Sequence, residues 1–112
     1  MSVENLEVYK KTEQLMFRVY PALKNFPKSE KFALCQSIKE NFFQLLTHIS
    51  LGNSVKSKRK TYLQEADGYL QTLKVLFRLA RFQRYIGIEF HRQIDYELTI
   101  INKMLSAYIK AS

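Results

Sequence analysis

A chain of 112 residues with 18 Lys+Arg, 10 Asp+Glu and a formal net charge of +8 is expected to form one basic domain around one modest core. Its 7 Tyr and 8 Phe exclude a disordered polar chain, and its single cysteine excludes an internal disulfide. The charge favours polyanionic partners, nucleic acid, anionic lipid or an acidic protein face, although such an excess also serves solubility alone. Only 3 Gly and 2 Pro punctuate the chain, so long helices are expected.

The first helix is predicted over residues 3–23. Leu6, Tyr9, Met16, Tyr20 and Leu23 share one face at helical spacing, with Val8, Leu15 and Ala22 broadening it. Pro21 lies inside this pattern and predicts a kink, or a break with a new first turn. Pro27 then closes the segment.

The second helix is predicted over 29–51, with Glu30 in its positive first turn. Leu34, Cys35, Ile38, Phe42, Leu45, Leu46 and Ile49 form its core stripe. Cys35 therefore reads as a small core residue. Gly52 is expected as a left-handed C-terminal cap.

The third helix, over 57–84, carries three faces when its residues are placed at about 100° steps. Tyr62, Ala66, Tyr69, Leu70, Leu73, Leu76, Phe77 and Ala80 form the core face. Val75, Leu79 and Phe82 lie roughly opposite, an apolar stripe that one four-helix bundle cannot bury, and so a candidate subunit interface. Between these faces run Lys56, Lys60, Lys74, Arg78 and Arg81, and the run "VKSKRK" adds Lys58 and Arg59. Asp67 is the one acid on that line. A cation cluster at a helix N-terminus opposes the macrodipole, and a long basic line suits a polyphosphate backbone. No aromatic platform interleaves with the line, so single-strand stacking is not expected there.

The fourth helix is predicted over 89–110, with Gly87 as the breaker before it. Ile94, Leu98, Ile101, Leu105, Tyr108 and Ile109 make its apolar line. Four helices with short connections give an all-α, antiparallel up-down four-helix bundle over residues 1–112.

Enzyme chemistry has little to stand on. His48 and His91 fall on different helices, and no His, Cys or carboxylate set has metal-ligand spacing. Glu65 and Asp67 diverge by about 160° on a helix, too far apart in direction to share a proton. No catalytic residue, metal, cofactor or small-molecule substrate is expected. The N-terminus lacks a signal peptide's apolar run and no segment approaches the ~20 apolar residues of a membrane span. A cytoplasmic protein with no membrane partner is expected.

Three blocks carry a resemblance. "FPKSEKFALCQSI" (26–38), "LQEADGYLQTLKVLFRLA" (63–80) and "INKMLSAYIK" (101–110) resemble the accessory variability determinant proteins of diversity-generating retroelements. That group sits within a wider set of four-helix bundle proteins, which includes those encoded in 23S ribosomal RNA intervening sequences. Cys35, Ser106, Ala107 and Tyr108 depart from the residues common in the family. The resemblance implies a bacterial or phage-encoded, non-enzymatic homopentameric barrel. It also implies binding to a reverse transcriptase and to RNA or RNA/DNA without sequence specificity, in support of mutagenic retrohoming. Lys74, Arg78 and Arg81 lie in the matched block and become the expected contacts; Lys56, Lys58, Arg59 and Lys60 follow from charge alone. The alternative is a purely structural homo-oligomer of the intervening-sequence type, with no reverse transcriptase partner.

Overall fold

Pro21 ends the first helix at the position its missing N–H dictates. In the computed structural model, which describes residues 2–112, α1 spans Glu7–Val19 and the chain tightens into a 3-10 segment, Tyr20–Asn25, with Pro21 in its first turn. A short 3-10 turn, Val3–Asn5, precedes α1. The buried face of α1 is Val8, Thr12, Leu15 and Val19. Val8 and Leu15, expected only to broaden the apolar face, are thus at its centre with Thr12 and Val19, while Tyr9 and Met16 pack at its edge and Tyr20, expected on the face, is exposed. Thr12 is satisfied there, its hydroxyl donating to the Val8 carbonyl at 2.7 Å.

After Pro27, Lys28–Glu30 form a single 3-10 turn, and α2 spans Leu34–Ser54, beginning later than the expected residue 29. Ala33, at φ −121° and ψ −99°, breaks the helical path. Glu30 ties the junction: one carboxylate oxygen accepts from the Leu34 N–H at 3.4 Å, the other from the Tyr85 hydroxyl at 2.9 Å.

Gly52 does not cap α2. The helix runs through it to Ser54, and no glycine has a positive φ. Gly52 is buried instead, and a Cβ built there would stand 2.8 Å from Leu63 Cδ2 and 2.9 Å from Cγ. The absent side chain is what lets α2 and α3 approach.

A 3-10 turn, Lys56–Lys58, leads into α3, Arg59–Phe82. Its end is a Schellman closure: the Tyr85 N–H donates to the Ala80 carbonyl and the Arg84 N–H to the Arg81 carbonyl, each at 2.9 Å. The left-handed residue is Arg84 (φ 64°), where glycine is usual. Gly87, expected to break the helix, is the extended N-cap residue of α4, Ile88–Lys110.

Each helix packs on the next and α4 returns onto α1, giving an all-helical four-helix bundle with extents of 42 × 25 × 20 Å and no strand among the described residues. α3 contributes Leu63, Ala66, Leu70, Leu73, Phe77 and Ala80 to the core, meeting Ile94, Leu98, Ile101 and Leu105 of α4 and the apolar face of α2. Leu63, absent from the expected core face, is fully buried, whereas Tyr62, Tyr69 and Leu76 are only half-buried. Among the described residues no helix is long and apolar enough to cross a membrane.

Candidate nucleic-acid interface

The two flanks of α3 have different neighbours, and this decides where its charges go. Toward α2, Glu65 reaches His48 Nε2 at 3.1 Å while Nδ1 of that ring lies 2.7 Å from the Gln44 carbonyl. The Tyr69 and Tyr62 rings flank the imidazole at 4.9 and 6.1 Å between centroids. Toward α4, Asp67 accepts from the Asn102 side-chain amide at 2.6 Å, and Lys74 Nζ donates to Thr99 Oγ1 at 3.2 Å. Glu65 and Asp67 therefore serve different seams.

The basic line follows the α4 flank, but as two clusters. Near the start of α3, Lys56, Lys58 and Lys60 are exposed. Arg59 differs from them: Nε donates to the Gly52 carbonyl at 2.7 Å and Nη2 to the Asn53 carbonyl at 2.9 Å. Its guanidinium carbon also lies 5.5 Å from the Tyr108 ring centroid. A cation on the last carbonyls of α2 complements that helix's macrodipole and satisfies acceptors the helix leaves open. Arg59 is thus committed to holding the corner.

About 21 Å of helix separates Lys60 from Lys74. In that interval Asp67 stands on the same flank and Glu65 on the other, so the stripe is discontinuous. Lys74 is half-buried on Thr99, while Arg78 and Arg81 are exposed. Arg78, Arg81, Phe82 and His91 line a shallow cleft where α3 meets the start of α4. His91 is buried, and its Nε2 has no hydrogen-bond partner among the described residues.

Of the 18 Lys and Arg side chains, only Lys10 and Arg92 pair with carboxylates among the described residues, each with a Glu three positions earlier. Such exposed pairs neutralise little. Most of the positive field therefore remains available to an outside anion.

Val75, Leu79 and Phe82 point away from the core, with 51%, 42% and 81% of their surfaces exposed. Ile88 continues this apolar surface beyond the turn at 64%. Phe17, Phe43 and Phe32 are exposed elsewhere, on or beside α1 and α2.

Sequence reasoning missed a third concentration of cations, Lys24, Lys28, Lys31 and Lys39, which surround one cavity. Their spacing across the break between α1 and α2 carried no helical period to reveal it. Cys35 forms part of that cavity's wall, and burial pushes its thiol above the ordinary value, with Lys39 opposing and Glu30 reinforcing the shift. Among the described residues no group of three or more His, Cys, Asp or Glu side chains is placed to hold a metal.

No curated protein matches the chain. A family model described as bAvd-like matches residues 6–112, and with that coverage the chain belongs to the bAvd-like family of accessory proteins.

Proposed function

We propose that this protein is a non-catalytic accessory factor of a diversity-generating retroelement, working in the cytoplasm. It binds the reverse transcriptase and its RNA or cDNA through the basic flank of α3, without base readout, and so supports mutagenic retrohoming. The observation that carries this reading is the pair Arg78 and Arg81. Both are exposed and, among the described residues, free of carboxylate partners, in a member of an accessory family. Guanidinium groups held this way on a rigid helix neutralise phosphates and release counterions.

The apolar stripe Val75, Leu79 and Phe82 is the interface between copies, in a bundle of antiparallel up-and-down order that closes into a pentameric ring. Burying three such side chains removes enough apolar surface to favour association by several kcal/mol before its entropic cost, on the order of 5. Assembly multiplies the basic flank and makes a multivalent polyanion-binding surface.

RNA affinity across a salt series tests the reading, for the wild type and for the Lys74→Glu, Arg78→Glu, Arg81→Glu triple variant. The wild-type log affinity should fall with log salt by about 0.7 to 0.9 per neutralised phosphate, and the variant should show a shallower slope. Capture of the reverse transcriptase is measured on the same folded variants. Unchanged binding of both partners sinks the assignment and leaves the structural homo-oligomer. In parallel, Leu79→Asp with Phe82→Asp should lower the mass seen by light scattering, and an unchanged mass places the interface elsewhere.

A further inference from the structure

At the break between α1 and α2 the 3-10 segment, the linker and the first turns of α2 line a half-open cavity of about 240 Å³. Lys24, Lys28, Lys31 and Lys39 stand around it, and no carboxylate lines it. Glu30, between Lys28 and Lys31 in the sequence, does not line it; its carboxylate is bonded to the Leu34 N–H and the Tyr85 hydroxyl, although its charge reaches Cys35 in the wall. None of the four ammonium groups forms an ion pair among the described residues. Lys31 and Lys39 rest instead on the Phe32 and Tyr20 rings, at 5.4 and 4.7 Å from the centroids.

The rest of the wall is apolar. Leu23, Phe26 and Cys35 are buried behind it, the Cys35 Sγ lying 3.7 Å from the Leu23 carbonyl. Tyr20 presents a flat ring at the mouth with 44% of its surface exposed. Four lysines lining one small volume, with no carboxylate among its walls, match a dianionic phosphate better than a single carboxylate. The volume also exceeds what an inorganic anion fills, yet it falls short of the ~300 Å³ at which drug-sized pockets begin. The cavity is half open and Tyr20 is exposed beside it, so a ligand whose phosphate sits inside can extend a sugar and a flat base out over that ring.

We propose that this cavity binds a nucleoside monophosphate, the phosphate held by Lys24, Lys28, Lys31 and Lys39 and the base laid on Tyr20. Lys39 leaves the Tyr20 ring for the phosphate and frees that face for stacking, an exchange of a weak cation–π contact for a charge-assisted hydrogen bond. The site lies apart from the α3 flank and rests on the accessory-factor reading only for the source of the nucleotide. That source is either a free nucleotide or the phosphorylated end of a strand.

Calorimetric titration of the full chain with AMP, adenosine and inorganic phosphate tests it. AMP should bind at least about tenfold tighter than either fragment. Lys28→Glu and Lys39→Glu should each weaken AMP by about tenfold or more. Lys28 sits in an exposed turn with no side-chain partner among the described residues, so that variant keeps the test informative if Lys39→Glu disturbs α2. Tyr20→Ala should weaken AMP and leave phosphate unchanged. The Lys74/Arg78/Arg81 triple variant should bind AMP like the wild type, so the two readings fail separately.

Equal affinity for AMP and phosphate overturns the nucleoside assignment. AMP binding that survives both lysine variants, or that falls with the α3 triple variant, overturns the site. A single-stranded oligonucleotide with and without a 5′-phosphate, measured in the α3 triple variant, separates the sources. Preference for the phosphorylated strand assigns the site to a strand end, and AMP binding without that preference assigns it to free nucleotide.

Discussion

At the corner between α2 and α3 the chain reverses through Val55–Lys58, Gly52 lets Leu63 press against α2, and Arg59 closes the joint on the last carbonyls of that helix. At the other end α1 unwinds into 3-10 turns, α2 starts late after Ala33, and α3 closes on a left-handed Arg84. There the two corners are joined by Tyr85, which packs on Phe26 at 5.3 Å and donates to Glu30. Both ends are rich in cations, yet they use them differently. Close packing at the first end commits Arg59 to a structural role. The irregular backbone at the second spreads its lysines around a cavity and gives them no carboxylate. Net charge alone cannot tell a committed cation from a free one; the neighbouring backbone can.

The sharpest way to break this contrast is Gly52→Val. Its side chain meets a Leu63 that is fully buried and cannot swing aside, so overpacking should cost about 2–3 kcal/mol by denaturant unfolding. The salt slope of RNA binding should stay as in the wild type. A neutral result would mean that the two helices separate easily and that the corner is not closely packed. Next in size, Arg59→Ala removes two hydrogen bonds to helix-terminal carbonyls and the contact with Tyr108, a loss of about 2 kcal/mol. Arg59→Lys should recover less than half, because an ammonium cannot span both carbonyls as the fork does. If Arg59→Ala instead weakened RNA binding as strongly as Lys60→Ala while leaving stability unchanged, the corner assignment would fail.

These residues also show what a sequence can and cannot reveal. The four helices were legible because Leu, Ile and Phe recur at helical spacing over long segments, and the α3 core and outward stripe followed from the same angles. Gly52 was misread because glycine near a helix end signals a cap, whereas close approach depends on a Leu63 that only the fold brings alongside. Arg59 sits in a run of like charges, and nothing local distinguishes it from Lys58 or Lys60. The late start of α2 escaped notice for a similar reason: Glu30 looks like a first-turn acid, and its distant partner Tyr85 is visible only in the fold. The lysine cavity needs three elements folded together before it exists.

At the irregular end, Arg84 offers a smaller effect of opposite sign. A non-glycine residue in the left-handed region is strained by about 1 kcal/mol, partly offset by the greater unfolded-state freedom of glycine. Arg84→Gly should therefore stabilise the chain by about 0.5–1 kcal/mol without altering the closure at Ala80. Loss of stability would show that the Arg84 side chain makes a contribution beyond its backbone strain.

The smallest expected effect is also the most diagnostic, because its pH dependence has a fixed sign. The Tyr85 hydroxyl donates to Glu30, and this hydrogen bond, with lesser help from burial and the carboxylate's charge, holds its pKa above the ordinary 10.0. The folded state therefore keeps the phenolic proton longer than the unfolded state does. The bond's contribution is fully present below the unfolded value and disappears as pH climbs through the raised folded value. Tyr85→Phe should lower stability slightly and by a constant amount from neutral pH to about 10, and the gap between the two chains should then close at higher pH. Burial raises the Cys35 thiol as well, and its alkaline titration lowers the stability of both chains together. That common term cancels in the difference, which isolates the Tyr85–Glu30 bond. A gap that stayed constant above pH 10 would mean that tyrosinate is tolerated in the fold as well as in the unfolded chain, and that the joint between the two corners does not depend on the donated phenolic proton.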